Sequence, residues 1–193
     1  MGMKWQVLGD RLPRTRNPLT RVLGRVVFRA MGWRIEGQFP NQSKVVVALT
    51  PHTSNMDFIL TIAVLWSLGL KSSFLMKQSL FWFPLGPILK ALGGIPVDRS
   101  QPRGLVDKMT QEFQQRAQLV LGITPEGTRS GVRRWKHGFA RIAESAQVPV
   151  LPAVLNYKTR TVLFAAIIDD VFTAEDVLAR VKQASLLGCA RSR

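Results

Sequence analysis

Val45-Val46-Val47-Ala48-Leu49 is an unbroken apolar run rich in β-branched residues, too short for a helix that buries one face. A run with no polar alternation reads as a strand covered on both sides. Strands of that kind belong to parallel sheets, whose connections are helices. The pattern recurs. Strands are expected over 44–50, 72–76, 95–97, 119–123, 148–157 and 161–168, with Pro149 and Pro152 breaking the fifth. Helical segments are expected over 57–68, 89–92, 104–118 and 136–147. Thr173-Ala174-Glu175-Asp176 opens a last helix as a capping box, running to about residue 187. Alternation of this sort predicts an α/β fold: a single domain with a largely parallel central sheet flanked by helices. No repeat, linker or low-complexity stretch divides the 193 residues.

The chain is basic, with 27 Lys and Arg against 12 Asp and Glu, a formal charge of +15. That balance calls for an anionic partner. Residues 1–34 hold eight of the cations (Lys4, Arg11, Arg14, Arg16, Arg21, Arg25, Arg29, Arg34) and a single acid, Asp10. Within them Asn17-Pro18 is a helix start and Gly32 a stop. Leu19, Val22, Leu23, Val26, Val27, Ala30 and Met31 form an apolar face, and Arg21, Arg25 and Arg29 line the other. We read residues 1–34 as a basic amphipathic segment that associates with an anionic membrane surface, and 35–193 as the main domain. A helix docked on the core with its arginines solvated is the plainer reading of the same pattern. Hydrophobic content is 46%, yet no run reaches the 18 or so apolar residues of a spanning helix. One cysteine, Cys189, and two histidines cannot build a disulfide or an ordinary zinc site, so a reducing compartment and no metal are expected.

The strand at 44–50 runs into Thr50-Pro51-His52-Thr53-Ser54-Asn55-Met56-Asp57 and then into a helix. A strand-to-helix turn sets side chains at the carboxyl end of a sheet, where ligands of open α/β folds bind. His52 is a proton carrier tuned near neutral pH, and Asp57 is an anion able to orient it. Two further strand ends deliver Asp98-Arg99 and Glu126-Gly127-Thr128-Arg129. Arginines beside glycine and threonine suit a phosphate. No Gly-x-Ser-x-Gly elbow, reactive cysteine, Walker loop or dinucleotide glycine motif accompanies them. A base without a protein nucleophile activates a hydroxyl of its substrate, and the phosphate site beside it points to a phosphorylated alcohol.

Four blocks then stand in one order: His52-x4-Asp57; Gly94-Ile95-Pro96-Val97-Asp98-Arg99; Pro125-Glu126-Gly127-Thr128-Arg129-Ser130; and Val148-Pro149-Val150-Leu151-Pro152-Ala153. With them the chain resembles the glycerophospholipid acyltransferase family over about residues 30–157. His-x4-Asp alone is a weak signal; Pro-Glu-Gly-Thr-Arg-Ser is a specific one. The resemblance implies transfer of a fatty acyl group from acyl-CoA or acyl-carrier protein to the hydroxyl of lysophosphatidic acid. His52 would be the base and Asp57 its holder. Glu126, Gly127, Thr128 and Arg129 would bind the glycerol phosphate, and Arg99 and Lys77 would add positive charge.

The thioester is then a co-substrate, and no further cofactor is expected. The expected partners are an anionic membrane surface, a lysophospholipid acceptor and an acyl thioester donor, with no nucleic acid. The expected place is the cytoplasmic face of a membrane, peripherally bound. Two departures touch the acceptor and the membrane attachment, not the reaction type. The region after Tyr157 is short and acidic at Asp169, Asp170, Glu175 and Asp176, and the chain lacks the transmembrane helices that some relatives have. Separately, Lys77-Gln78-Ser79 lacks the acidic residue that often follows the counterpart of Lys77 in relatives. The same chemistry on a lyso-ornithine lipid or lysophosphatidylethanolamine is one alternative. A non-catalytic basic module that binds membrane or nucleic acid is another, of a different class. His137 reads as a surface histidine, Arg133, Arg134 and Lys136 as contacts for CoA phosphates or headgroups, and Cys189 as inert.

Overall fold

The computed structural model describes residues 8–15, 17–51, 56–98, 102–126, 135–170 and 173–190. Seven strands form one sheet: β1 (Arg34–Glu36), β2 (Lys44–Thr50), β3 (Ser73–Lys77), β4 (Gly94–Val97), β5 (Leu119–Ile123), β6 (Val150–Asn156) and β7 (Thr161–Phe164). Their order is β1-β7-β6-β2-β5-β3-β4. Every pairing is parallel except β6 with β7. The helices are α1 (Pro18–Ala30), α2 (Met56–Leu68), α3 (Leu85–Ala91), α4 (Pro102–Gln115), α5 (Gly138–Ala146) and α6 (Ala174–Ala190), with a 3-10 turn at Gln78–Leu80. This is the single α/β domain with a largely parallel sheet that the sequence predicts.

β2 shows why. Val45 packs with Phe28 of α1, Leu60 and Val64 of α2, and Val120 and Leu151 of the neighbouring strands. Val46 and Ala48 point the other way, to Met109 and Phe113 of α4, Phe139 and Ile142 of α5, and Val177 and Val181 of α6. The sheet is the middle of three layers, and an alternating strand with both faces covered has to be apolar throughout.

The fifth expected strand begins only after Pro149 and then runs unbroken through Pro152. Pro152 sits inside β6, a strand buried along its whole length. Its carbonyl accepts from Ala165 N at 3.0 Å. The missing donor of Pro152 thus faces the stretch after Phe164, where β7 has ended, and not β2. For the same reason the strand expected over 161–168 stops at Phe164; Ile168 returns only as a bridge to Val150. β1 was not expected. It has three residues and an exposed–intermediate–exposed pattern, below what an apolar run can reveal. α3 begins at Leu85, earlier than the 89–92 expectation.

α1 starts as the sequence predicts, with Asn17 Oδ1 accepting from Leu19 N at 2.9 Å and Pro18 at the first position. α6 likewise opens on Thr173, whose hydroxyl accepts from Asp176 N at 3.2 Å. The seating of α1 is the reverse of an ordinary docked helix. Gly24 and Phe28 are buried against α2, and Arg25 Nε donates to Ser67 O at 3.3 Å. Leu19, Val22, Leu23 and Val26 are more than half exposed. A Cβ at Gly24 would lie 2.6 Å from Ser67 N and from Trp66 Cβ, so the two helices meet backbone to backbone there.

In an open helix, alanine for glycine gains about 1 kcal/mol. At Gly24 we expect the opposite sign: Gly24→Ala lowers unfolding stability by about 1–3 kcal/mol because the neighbouring turn of α2 has to move. Urea unfolding of the two proteins checks this.

Candidate active site

The crossovers define where a ligand belongs. The β2–α2–β3 connection moves toward β4 along one face of the sheet. The β5–α5–β6 connection moves toward β1 along the other face. β2 and β5 are neighbours, so the chain leaves two adjacent strands in opposite directions, which opens a crevice at their carboxyl ends. The turn after β2 leads to Asp57, and the turn after β5 leads to Glu126.

Asp57 lies in the first turn of α2 and is fully buried. A buried carboxylate has to be hydrogen-bonded, and the phenol of Tyr157 donates to Asp57 Oδ1. Tyr157 follows directly on β6. Register places it: Thr50 of β2 pairs with Val154, so Tyr157 stands three residues further on, level with the turn after β2. Trp33 packs edge-on against the ring, 5.3 Å between centroids. Below the ring, the Asn156 side chain accepts from Thr159 N at 3.1 Å and fixes the hairpin turn into β7. On the other side of Asp57, Thr61 Oγ1 donates to its backbone carbonyl at 2.6 Å.

Glu126 stands beside the last residue of β2. The buried hydroxyl of Thr50 donates to Glu126 Oε1 at 3.3 Å and lies 3.4 Å from Ser185 Oγ on α6. A hydroxyl has a single proton, so with Thr50 donating to the carboxylate, Ser185 donates to Thr50. Lys136 N donates to Pro125 O at 2.7 Å, closing the base of the loop that leaves at Glu126.

Lys77 ends β3, one strand beyond β5, and its side chain is exposed. Asp98 follows β4 at the sheet edge, three strand spacings from β2, about 14 Å. The structure therefore brings the ends of β2, β5 and β6 together and sets the end of β4 apart. His52, Arg99, Gly127, Thr128, Arg129, Arg133 and Arg134 lie outside the described residues. His137 is an exposed residue at the start of α5.

A cavity of about 1310 Å³ opens beside this crevice. Leu49, Phe58 and Thr61 line it next to Thr50 and Asp57, and Phe74, Gly122 and Leu155 line it deeper in. β3 and β5 pair only at Ser73–Leu121 and Phe74–Gly122. Past Gly122 the two strands part, and the cavity has lining residues on both faces of the sheet, such as Val64 of α2 and Leu105 of α4. Lys77, Lys136, His137 and Arg141 also line it.

Sequence reasoning did not find Thr50, Tyr157 or Ser185. Thr50 directly follows an apolar run, and Tyr157 stands one residue past another, after Asn156; both are strand ends, where polar groups meet ligands. That signal was available for both. For Ser185 no local signal exists, since α6 reaches the site only through tertiary packing.

No curated protein sequence matches the chain. Its fold is similar to the crystal structure of the 1-acyl-sn-glycerophosphate (LPA) acyltransferase PlsC from Thermotoga maritima, with a TM-score of 0.65 and 16% identity. The likeness covers 90% of this chain and 78% of that one. The family model Acyltransferase matches residues 33–156, from β1 to the end of β6. That is more than half of the sequence, and the chain belongs to the acyltransferase family.

Proposed function

We propose that the protein transfers a fatty acyl group from the thioester of CoA or acyl-carrier protein to the free hydroxyl of lysophosphatidic acid, giving phosphatidic acid. The observation that carries this reading is the buried, hydrogen-bonded Asp57 at the crevice between β2 and β5, five residues after His52 and next to a large apolar cavity.

In this reading His52 takes the hydroxyl proton while Asp57 holds the imidazole in the right tautomer and orientation. The oxygen attacks the thioester carbonyl. The tetrahedral intermediate collapses, the carbon–sulfur bond breaks, and the leaving thiolate takes the proton back from the imidazolium. No acyl-enzyme forms and no cofactor takes part. General-base catalysis of this type contributes about 10²–10⁴ in rate. Glu126, steadied by Thr50, binds the glycerol phosphate together with Gly127, Thr128 and Arg129. Arg99 and Lys77 supply long-range positive charge. The acyl chain fills the cavity, where each buried methylene stabilises the complex by about 0.8 kcal/mol.

The surface supports a lipid substrate. Leu19, Val22, Leu23 and Val26 form one exposed apolar face on α1, and Trp82, Phe83 and Ile88 are exposed near α3. Among the described residues no helix is long and apolar enough to cross a membrane. We read α1 as lying on an anionic bilayer, apolar face down and arginines at its flanks, on the cytoplasmic side. Because Phe28 and Trp33 are buried in the core, removing residues 1–34 would damage the domain itself. Surface substitutions are the cleaner test.

His52→Ala should cut thiol release from acyl-CoA with lysophosphatidic acid by about 10³-fold or more, while binding to lipid vesicles persists. Turnover unchanged in this variant would sink the reaction mechanism. Activity on phosphate-free acceptors that survives Arg129→Ala would move the assignment to another lyso-lipid.

Leu23→Glu combined with Val26→Glu should abolish flotation with anionic vesicles, since two carboxylates replace apolar groups on the side facing lipid. Flotation equal to wild type would show that α1 is not the docking element.

A further inference from the structure

We propose that Tyr157 is a positioning residue for the acyl transfer: its phenol fixes the Asp57 carboxylate that holds His52. The inference rests on the reading of His52 and Asp57 given above and extends it to a residue outside the four sequence blocks.

The geometry carries the argument. Asp57 is fully buried, and Tyr157, 43% exposed, places its phenol oxygen on Asp57 Oδ1. A half-exposed ring that ends on a buried carboxylate stands between that carboxylate and the solvent. The phenol is a donor toward an anion, the stronger class of hydrogen bond. A carboxylate on a helix can rotate about its side-chain bonds, and a donor on one oxygen removes that freedom. What remains is one orientation of the group that has to meet an imidazole. The ring in turn cannot swing away, with Trp33 packed edge-on against it and the Asn156–Thr159 turn fixing the backbone beyond it. Trp33 is itself buried in the core. The hairpin between β6 and β7 is thus tied to the catalytic turn through one phenol. Among the described residues the phenol's hydrogen-bond partner is Asp57. A phenylalanine would keep the ring contact with Trp33 and lose only the donor.

Tyr157 is the only tyrosine of the chain, which gives two independent tests. The first uses full-length protein, oleoyl-CoA and lysophosphatidic acid, with wild type, His52→Ala, Asp57→Ala, Tyr157→Phe and the Asp57→Ala/Tyr157→Phe pair. We expect Tyr157→Phe to lower kcat about 10-fold with KM for both substrates within about twofold, because the lost bond orients the base and touches neither substrate. In the Asp57→Ala background the same change should have no further effect, since the group it positions is gone.

The second test grows the protein with 3,5-difluorotyrosine, whose phenol loses its proton near neutral pH. It leaves packing unchanged and keeps the proposal open to test if Tyr157→Phe folds poorly. The fluorinated enzyme should lose kcat on the alkaline side where the ordinary enzyme holds it. Wild-type kcat in Tyr157→Phe, an equal loss repeated on top of Asp57→Ala, or superimposable pH profiles would each overturn the role of Tyr157. No turnover by wild type, or full turnover by His52→Ala, would overturn the acyl-transfer reading and this inference with it.

Discussion

The arrangement depends on β2 being paired in parallel on both sides. Parallel neighbours cannot be joined by a tight turn, so each connection out of β2 and β5 has to be a crossover with a helix. These connections run in opposite directions from adjacent strands with α2 and α5 on opposite faces, as two crossovers of the same hand must. The crevice at the carboxyl ends is what that topology leaves open. The polar groups at that crevice hang mainly from strand ends: Thr50 and the turn to Asp57 from β2, Glu126 from β5, Tyr157 from β6. Register sets their relative heights, because Ala48 pairs with Ile123 and Thr50 with Val154. A slip of one residue in either pairing would turn Val45 and Val46 to the wrong layers and carry Thr50 away from Glu126.

The buried charge of Asp57 adds a second constraint. An ionised carboxylate removed from water without partners costs several kcal/mol, far more than a single contact returns. The fold places it in the first turn of a helix, where the macrodipole favours an anion, and sets a phenol on it. Such a group is tolerated only where its surroundings hold it in one arrangement. In the proposed reaction the general base needs the same condition, since its orienting partner has to be in place before the proton moves. The structural requirement and the one the proposed chemistry makes coincide at Asp57.

How far the sequence reveals this differs by element. β2 and β5 are legible because burial on both faces leaves an unbroken apolar run. The starts of α1 and α6 are legible because caps are local chemistry, as at Asn17 and Thr173. β1 is too short and too polar at its ends to leave a pattern. β6 looks broken at Pro152 because the spared side of a strand depends on a neighbour, here the stretch after Phe164. The expected apolar face of α1 splits in the structure: Val27 and Met31 pack on the core while Leu19, Val22, Leu23 and Val26 face out, and periodicity does not say where that division falls. Gly24 decides that, and its meaning appears only against Ser67 and Trp66. The site shows the same division. Asp57 and Glu126 announce themselves through spacing, whereas Tyr157 and Ser185 arrive from β6 and α6 across long stretches of chain.

α1 also accounts for a tension in the composition. A chain with a charge of +15 and a mean hydropathy of +0.07 is at once too basic and too apolar for an ordinary water-facing surface. A helix docked by its apolar face would relieve this by sending Leu19, Val22, Leu23 and Val26 inward. Here the inward positions are taken by Gly24, which admits the α2 backbone, and Phe28, which fills the space beside it. The apolar stripe is left outside as a consequence of close packing, not for lack of a core. Arg25 is drawn to Ser67 O on the inner flank, so cations border the stripe without interrupting it. Four contiguous apolar side chains in water are unfavourable by several kcal/mol relative to burial, at about 1.5–3 kcal/mol each. A chain that keeps them there, on a rigid helix tied to the sheet through Phe28 and Trp33, holds that surface at a fixed angle to the crevice where Asp57 lies.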